Sequence, residues 1–190
     1  MESPLISYLQ KVRQIPEGEQ ELILSSFEKM SFQKGKNLIK AGRPIQHLFF
    51  ICKGIVKILI PNVEGKELTY FFLNEHQFVT LLNRFSLDIS AEQSIQAVTD
   101  TEVLAIDKNQ LNALISRLPY FKDLLEHIVQ QSMLEKIISR NAYKGYDSGR
   151  RYSIFLERER EIAYKIPTSD IASYLDITPQ SLTRMRKNIH

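Results

Sequence analysis

Residues Pro167–Lys187 read PTSDIASYLDITPQSLTRMRK, and this stretch decides the C-terminal architecture. Ile171, Ala172 and Leu175 fall on one face of a helix that Thr168 can cap and that runs through Leu175. The small Ala172 lets a second helix approach closely. Asp176 and Ile177 form a short turn. Thr178 is then a favoured N-cap, and Pro179 a favoured first helical residue, since its missing N–H has no partner there anyway. The second helix runs from Pro179 to about Asn188 and turns Leu182 and Met185 inward. Thr178, Gln180, Ser181, Thr183, Arg184 and Lys187 make a polar, basic outer set. Two short helices with a three-residue link form a helix-turn-helix. A major groove admits such a helix, and Arg, Gln, Ser and Thr read its base edges. The bland alternative at this spacing is a helical hairpin with a solvated face.

Working upstream, Glu157–Glu161 (ERERE) alternates in sign and reads as a solvated helix end. Arg150–Leu156 predicts a helix, and Gly145–Gly149 (GYDSG) a hinge. Before it, apolar residues recur at spacings of three and four from Phe121 to Ile138, a stripe interrupted by Gln130, Gln131 and Ser132. That pattern predicts a helix from Pro119 to about Tyr143, about 37 Å long at 1.5 Å per residue. Its length exceeds what one small barrel can cover, so Phe121, Leu124, Leu125 and Ile128 are the expected dimer interface. Leu111, Leu114, Ile115 and Leu118 predict a shorter helix just before it.

From Phe32 to Asp107 the periodicity is that of strands. Val56, Ile58 and Ile60 alternate with Lys57 and Leu59; Asn62–Lys66 reads as a hairpin turn, and Leu68, Tyr70 and Phe72 alternate again. Ile95–Thr99 and Val103–Ile106 are two more short strands. Short strands separated by turns favour a barrel or jelly roll over βαβ units.

Composition bounds the function. Apolar residues make up 43% and charged residues 25%, which excludes a disordered chain. The last 53 residues carry ten Lys and Arg against six Asp and Glu, while the remainder is near neutral, so the basic end is the one suited to nucleic acid. The single Cys52 excludes an internal disulfide, a multi-cysteine zinc site and a four-cysteine iron–sulfur cluster. No Gly-rich phosphate loop, HExxH or nucleophile–base arrangement is present, so no enzyme is expected. The N-terminus lacks the pattern of a secretory signal, and no run approaches the ~20 apolar residues of a membrane span. A cytoplasmic protein without a membrane partner is expected.

The order of these parts resembles that of the CRP/FNR-type bacterial transcription regulators. In the N-terminal half the resemblance rests on Phe32-Gln-Lys-Gly35, Leu38, Gly42, Phe50-Ile51-Cys-Lys-Gly54 and Val56. In the C-terminal part it rests on Arg151-Tyr152 and IASYLDITPQSLTRMRK, which looks like the short regulators of Bacteroidetes. The resemblance implies an α+β chain of three units. These are a cyclic-nucleotide-binding-type β-barrel or jelly roll over residues 1–118, a dimerisation helix over 119–144, and a helix-turn-helix over 145–190 that lacks a full wing. It implies a homodimer on a twofold-symmetric double-stranded DNA site, with RNA polymerase as a further partner. The family's base-reading positions fall on Pro179, Gln180 and Arg184. Asp176 stands where the family usually has Gly; Asp tolerates the left-handed backbone better than most residues.

Relatives that bind cyclic AMP hold its phosphate with a G-E-L segment and a later R-S or R-T pair. Val79 and Thr80 occupy the Gly-Glu positions, and Ala91 and Glu92 the Arg-Ser positions. A phosphate beside Glu92 is repelled rather than paired, and Arg84 is offset in sequence. The effector pocket set is therefore Val79, Thr80, Arg84, Ala91 and Glu92, with no cyclic AMP site and no cofactor expected. The alternative function is a ligand-sensing module of a signalling assembly that binds no specific DNA.

Overall fold

A computed structural model describes residues 3–79 and 90–189. Two N-terminal helices, α1 (Pro4–Gln10) and α2 (Glu17–Ser25), lead into eight strands. These are β1 (Glu28–Phe32), β2 (Asn37–Ile39), β3 (His47–Lys53), β4 (Val56–Pro61), β5 (Glu67–Leu73), β6 (Phe78–Val79), β7 (Ser94–Ala97) and β8 (Thr101–Asp107). They form two antiparallel sheets, ordered β1-β8-β3-β6 and β2-β7-β4-β5. This is the jelly-roll-like half of a mixed α+β chain.

The strands sit where apolar and turn residues direct them. Phe49, Phe50 and Ile51 of β3 are buried against β8. Asn62 closes the β4–β5 hairpin, its side-chain oxygen accepting from the Glu64 and Lys66 N–H groups at 3.0 and 2.8 Å. Gly54 turns β3 into β4 with φ +102°; a Cβ there would lie 2.6 Å from the Asp100 carbonyl oxygen, so only glycine fits. The period-two reading of β4 fails at one point. A register shift between Ile58 and Leu59 buries Val56 and Leu59 instead of Val56, Ile58 and Ile60.

Helix α3 (Lys108–Arg117) follows, started by a capping box between Asp107 and Gln110. Helix α4 (Tyr120–Asn141) comes next, then α5 (Ser148–Arg158), α6 (Arg160–Ala163), α7 (Thr168–Leu175) and α8 (Pro179–Ile189). The first half of α4 belongs to the barrel. Phe121, Leu124, Leu125 and Ile128 are buried there with Leu5, Leu9, Leu48 and Ile106.

A second core joins the C-terminal helices to the sheet. Phe72 meets Tyr174 and Phe155 edge-on, at centroid distances of 5.2 and 6.4 Å. Ile55, Phe71 and Val98 share this core with Ile162, Ile171, Ala172 and Leu182, so it crosses the boundary expected at residue 145. Polar contacts bind the edge strand β5 to the helices. The Thr69 N–H donates to Ser173 Oγ at 2.9 Å, while the carbonyls of Tyr70 and Phe72 accept from Arg140 and Lys136 at 3.0 and 2.7 Å. Lys57 on β4 pairs with Asp170 on α7 at 2.8 Å, both largely buried.

Candidate nucleic-acid interface

The helix-turn-helix is built by local chemistry. Asp176 ends α7 in the left-handed conformation, φ 55° and ψ 51°, and the Ile177 N–H returns to the Ala172 carbonyl at 3.0 Å. Arg151 caps the same end, donating to the Leu175 carbonyl at 3.1 Å and to the Tyr146 carbonyl at 2.8 Å. Thr178 starts α8, its Oγ1 accepting from the Ser181 N–H at 3.1 Å and donating to Ser181 Oγ at 2.9 Å. Both hydroxyls therefore serve the helix start. Thr168 does not cap α7. The residue before that helix is Pro167, no side chain caps it, and Thr168 Oγ1 accepts instead from Arg186 at 2.8 Å.

Leu182 is fully buried and seats α8 on α7, where Ala172 is likewise without exposure. The opposite face carries Gln180, Thr183, Arg184 and Lys187, all exposed, which with Pro179 line one shallow depression. Thr183 Oγ1 donates to the Pro179 carbonyl at 2.8 Å, holding that side chain along the helix. Gln180, Arg184 and Lys187 remain as one exposed amide and two exposed cations on a helix that fits a major groove.

Residues 29–118 match the cyclic nucleotide-binding domain. The Cyclic AMP receptor protein of Thermus thermophilus is 30% identical over 119 residues, which is 62% of this chain and 54% of that protein. The cAMP-activated global transcriptional regulator CRP of Salmonella typhimurium is 30% identical over 111 residues, covering 58% of this chain and 51% of that one. The c-di-GMP responsive global regulator CLP of Xanthomonas campestris superposes with a TM-score of 0.69 at 19% identity, over 92% of this chain and 91% of its own. The chain is thus similar to regulators of the CRP/FNR type, and its fold is theirs. It spans about half the length of the curated relatives it matches. The relatives' names describe regulators rather than enzymes.

The residues expected to form an effector pocket are scattered. Val79 pairs with Phe49 and lies in the barrel core. Ala91 is buried, with its N–H on the Arg43 carbonyl at 3.0 Å and its carbonyl accepting from the Gly42 N–H at 2.8 Å. Glu92 is exposed. Thr80 and Arg84 lie outside the described residues. Among the described residues no group of His, Cys, Asp and Glu is arranged to hold a metal ion. Cys52 is half-buried, and burial pushes its thiol above the ordinary range. No described helix is long and apolar enough to cross a membrane.

The expected dimer residues require a correction. Phe121, Leu124, Leu125 and Ile128 face their own barrel and present no surface to a partner. The exposed apolar side chains of α4 are Met133, Leu134, Ile137 and Ile138, each 47 to 54% exposed. At about 100° per residue the two sets lie on opposite sides of the helix.

The charge pattern of ERERE also hid a buried group. Glu159 is half-buried, and burial raises its carboxyl while Lys136 and Arg158 pull it down. Burial lowers Lys136 in turn, opposed first by Glu159 and then by Glu135. Burial also raises the phenols of Tyr143 and Tyr174 nearby.

Proposed function

We propose that the chain is a sequence-specific, DNA-binding transcription regulator, cytoplasmic and dimeric, in which residues 1–118 sense, 119–144 dimerise and 145–190 bind DNA. The observation that carries this reading is the outer face of α8. Gln180, Arg184 and Lys187 are exposed together, while Leu182 on the other side is fully buried. Arg184 can take the O6 and N7 of guanine, and Gln180 the N6 and N7 of adenine. Lys187, a point charge one turn beyond Thr183, suits a phosphate.

Dimerisation uses the stripe of Met133, Leu134, Ile137 and Ile138, an apolar patch on an otherwise charged helix. Two copies related by a dyad carry their recognition helices into successive major grooves, with half-sites ~34–36 Å apart. Cyclic AMP does not control the protein. Ala91 and Glu92 replace an Arg-Ser pair with a methyl group and a carboxylate, which repels a phosphate. RNA polymerase is the expected downstream partner.

The test is a binding-site selection on wild type, Arg184→Ala and Lys187→Ala, with and without cyclic AMP. Arg184→Ala should relax one base position per half-site at a cost of ~1–3 kcal/mol. Lys187→Ala should weaken all sequences alike and lower the salt slope by about one. An unchanged profile for Arg184→Ala, or a selected site without dyad symmetry, refutes the reading of α8. A gain in affinity with cyclic AMP refutes the reading of the sensor.

A further inference from the structure

Arg186 is charged, yet it does not belong to the outer face of α8. At about 100° per residue, Leu182, Met185 and Arg186 share one inward sector of about 100°. Its guanidinium reaches three separate elements. Nε donates to Tyr152 Oη on α5 at 3.1 Å, Nη1 to Thr168 Oγ1 at the start of α7 at 2.8 Å, and Nη2 to the Ala163 carbonyl at the end of α6 at 3.1 Å. All three acceptors are neutral, so the fork is held by direction rather than by an opposite charge. The side chain also lines a hollow with Tyr152, Leu156, Tyr164 and Thr168.

The need for such a residue follows from how little else holds α8. Among the described side chains of α8, Leu182 is the fully buried one, and Met185 is only partly buried. Apolar contacts from Leu182 and the partly buried Met185 fix where the helix sits but resist its roll about its own axis only weakly. A second anchor one turn on, tied to three elements in one plane, removes the remaining freedom. Roll matters because Gln180 and Arg184 stand on the far side of the helix, where any rotation becomes a displacement of the base-reading atoms. Bidentate base contacts tolerate little such displacement.

We propose that Arg186 is a positioning residue that sets the roll of the recognition helix, and so fixes base specificity without touching DNA. The inference rests on the DNA-binding reading above. It predicts that Arg186→Met, which keeps an apolar stem and loses all three bonds, lowers discrimination between the best site and single-base variants by roughly 5- to 150-fold, the range of one lost base contact. The salt slope should stay at the wild-type value, since no phosphate contact is lost. Arg186→Lys keeps the charge but cannot fill the planar fork, and should resemble Arg186→Met. Thr168→Val removes one acceptor and should give a partial loss, which Thr168→Ser restores.

The experiment combines site selection, salt titration and amide hydrogen exchange on the full chain. In the free protein, exchange along α8 should quicken in Arg186→Met while α5 and α7 keep wild-type protection. If Arg186→Met fails to fold, the Thr168 pair and Tyr152→Phe carry the same measurement. Wild-type discrimination retained in these variants overturns the inference, as does a salt slope lowered by about one, which makes Arg186 a phosphate contact. A wild type without sequence preference instead refutes the DNA-binding reading, and the inference falls with it. Preference in the wild type and its retention in the variants refutes the inference alone.

Discussion

Leu125→Asp and Ile137→Asp should behave in opposite ways, although both replace an apolar residue on the same helix. Leu125 is buried in the barrel core beside Leu124 and Ile128. Fully burying such a side chain is worth about 1.5–3 kcal/mol. An unpaired carboxylate in its place adds several kcal/mol more. The sum reaches at least about 5 kcal/mol, the lower end of a whole domain's stability. Leu125→Asp should therefore unfold the sensor half. Ile137 is 47% exposed in the single chain and contributes little to either core. Its replacement should change protomer stability by no more than about 0.5 kcal/mol.

In a dimer closed over the stripe, each copy hides the exposed half of Ile137, about 0.7–1.5 kcal/mol per copy. Losing both copies weakens the dimer by about 1.5–3 kcal/mol, roughly 10- to 150-fold in Kd, before the two carboxylates repel. Sedimentation velocity at micromolar concentration and circular dichroism melts separate the outcomes. Ile137→Asp should give folded monomers and Leu125→Asp an unfolded or aggregated chain. Folded monomers from Leu125→Asp, or a wild-type dimer from Ile137→Asp, would show that the wrong face of α4 has been assigned.

Three further outcomes test the packing between sensor and helices. Asp170→Asn leaves Lys57 without its partner in a largely buried pair and should cost about 3 kcal/mol, whereas Lys57→Met with Asp170→Leu should recover most of it in a thermal melt. Glu159→Gln should flatten the dependence of stability on pH. Burial raises the Glu159 carboxyl, so the folded chain keeps that proton to higher pH than the unfolded chain, and its cost is absent in acid and grows as pH rises through the carboxylate range. A denaturation profile unchanged from wild type between pH 4 and pH 7 (about the range over which such a group titrates) contradicts this. Gly54→Ala should lose about 1–3 kcal/mol, because φ is +102° and the new Cβ would meet the Asp100 carbonyl at 2.6 Å; an unshifted melt counts against the tight turn.

What could be read from the chain divides by how local the deciding interaction is. The helix-turn-helix was legible because its punctuation lies within a few residues. Thr178 caps the helix that Pro179 opens, and Asp176 takes the left-handed turn between the two helices. The barrel was legible for the same reason, through hairpin residues such as Asn62 and Gly54. The N-terminal helices α1 and α2 escaped because seven and nine residues carry too short a period.

The exposed apolar stripe of α4 escaped for another reason. Gln130–Ser132 interrupt the apolar spacing along α4, but the apolar residues on either side were read as one stripe although they lie on opposite faces. Periodicity counts apolar residues on a helix but does not say what covers them. The barrel takes the first stripe, and its width decides where the second begins.

Charged residues misled in a consistent direction. Glu159 read as solvated within ERERE, and nothing close in sequence marks Arg186, Lys136 or Asp170 as partnered, because a charge is presumed exposed until a partner is known. Each of their partners lies far along the chain or on another element: Lys57 is 113 residues before Asp170, and Phe72 is 64 residues before Lys136. These same four residues gather where α4, the sheet and the C-terminal helices meet, or inside the helix-turn-helix itself. That distribution follows from the construction. A recognition helix must keep its outer face polar, and its seat on a sensor's edge strand must satisfy backbone groups that an apolar side chain leaves unpaired. Long cations such as Lys136 and Arg140 reach the carbonyls of β5 while their stems stay in the apolar seam. Charges with partners far along the chain are thus the ones that hold the C-terminal helices to the barrel.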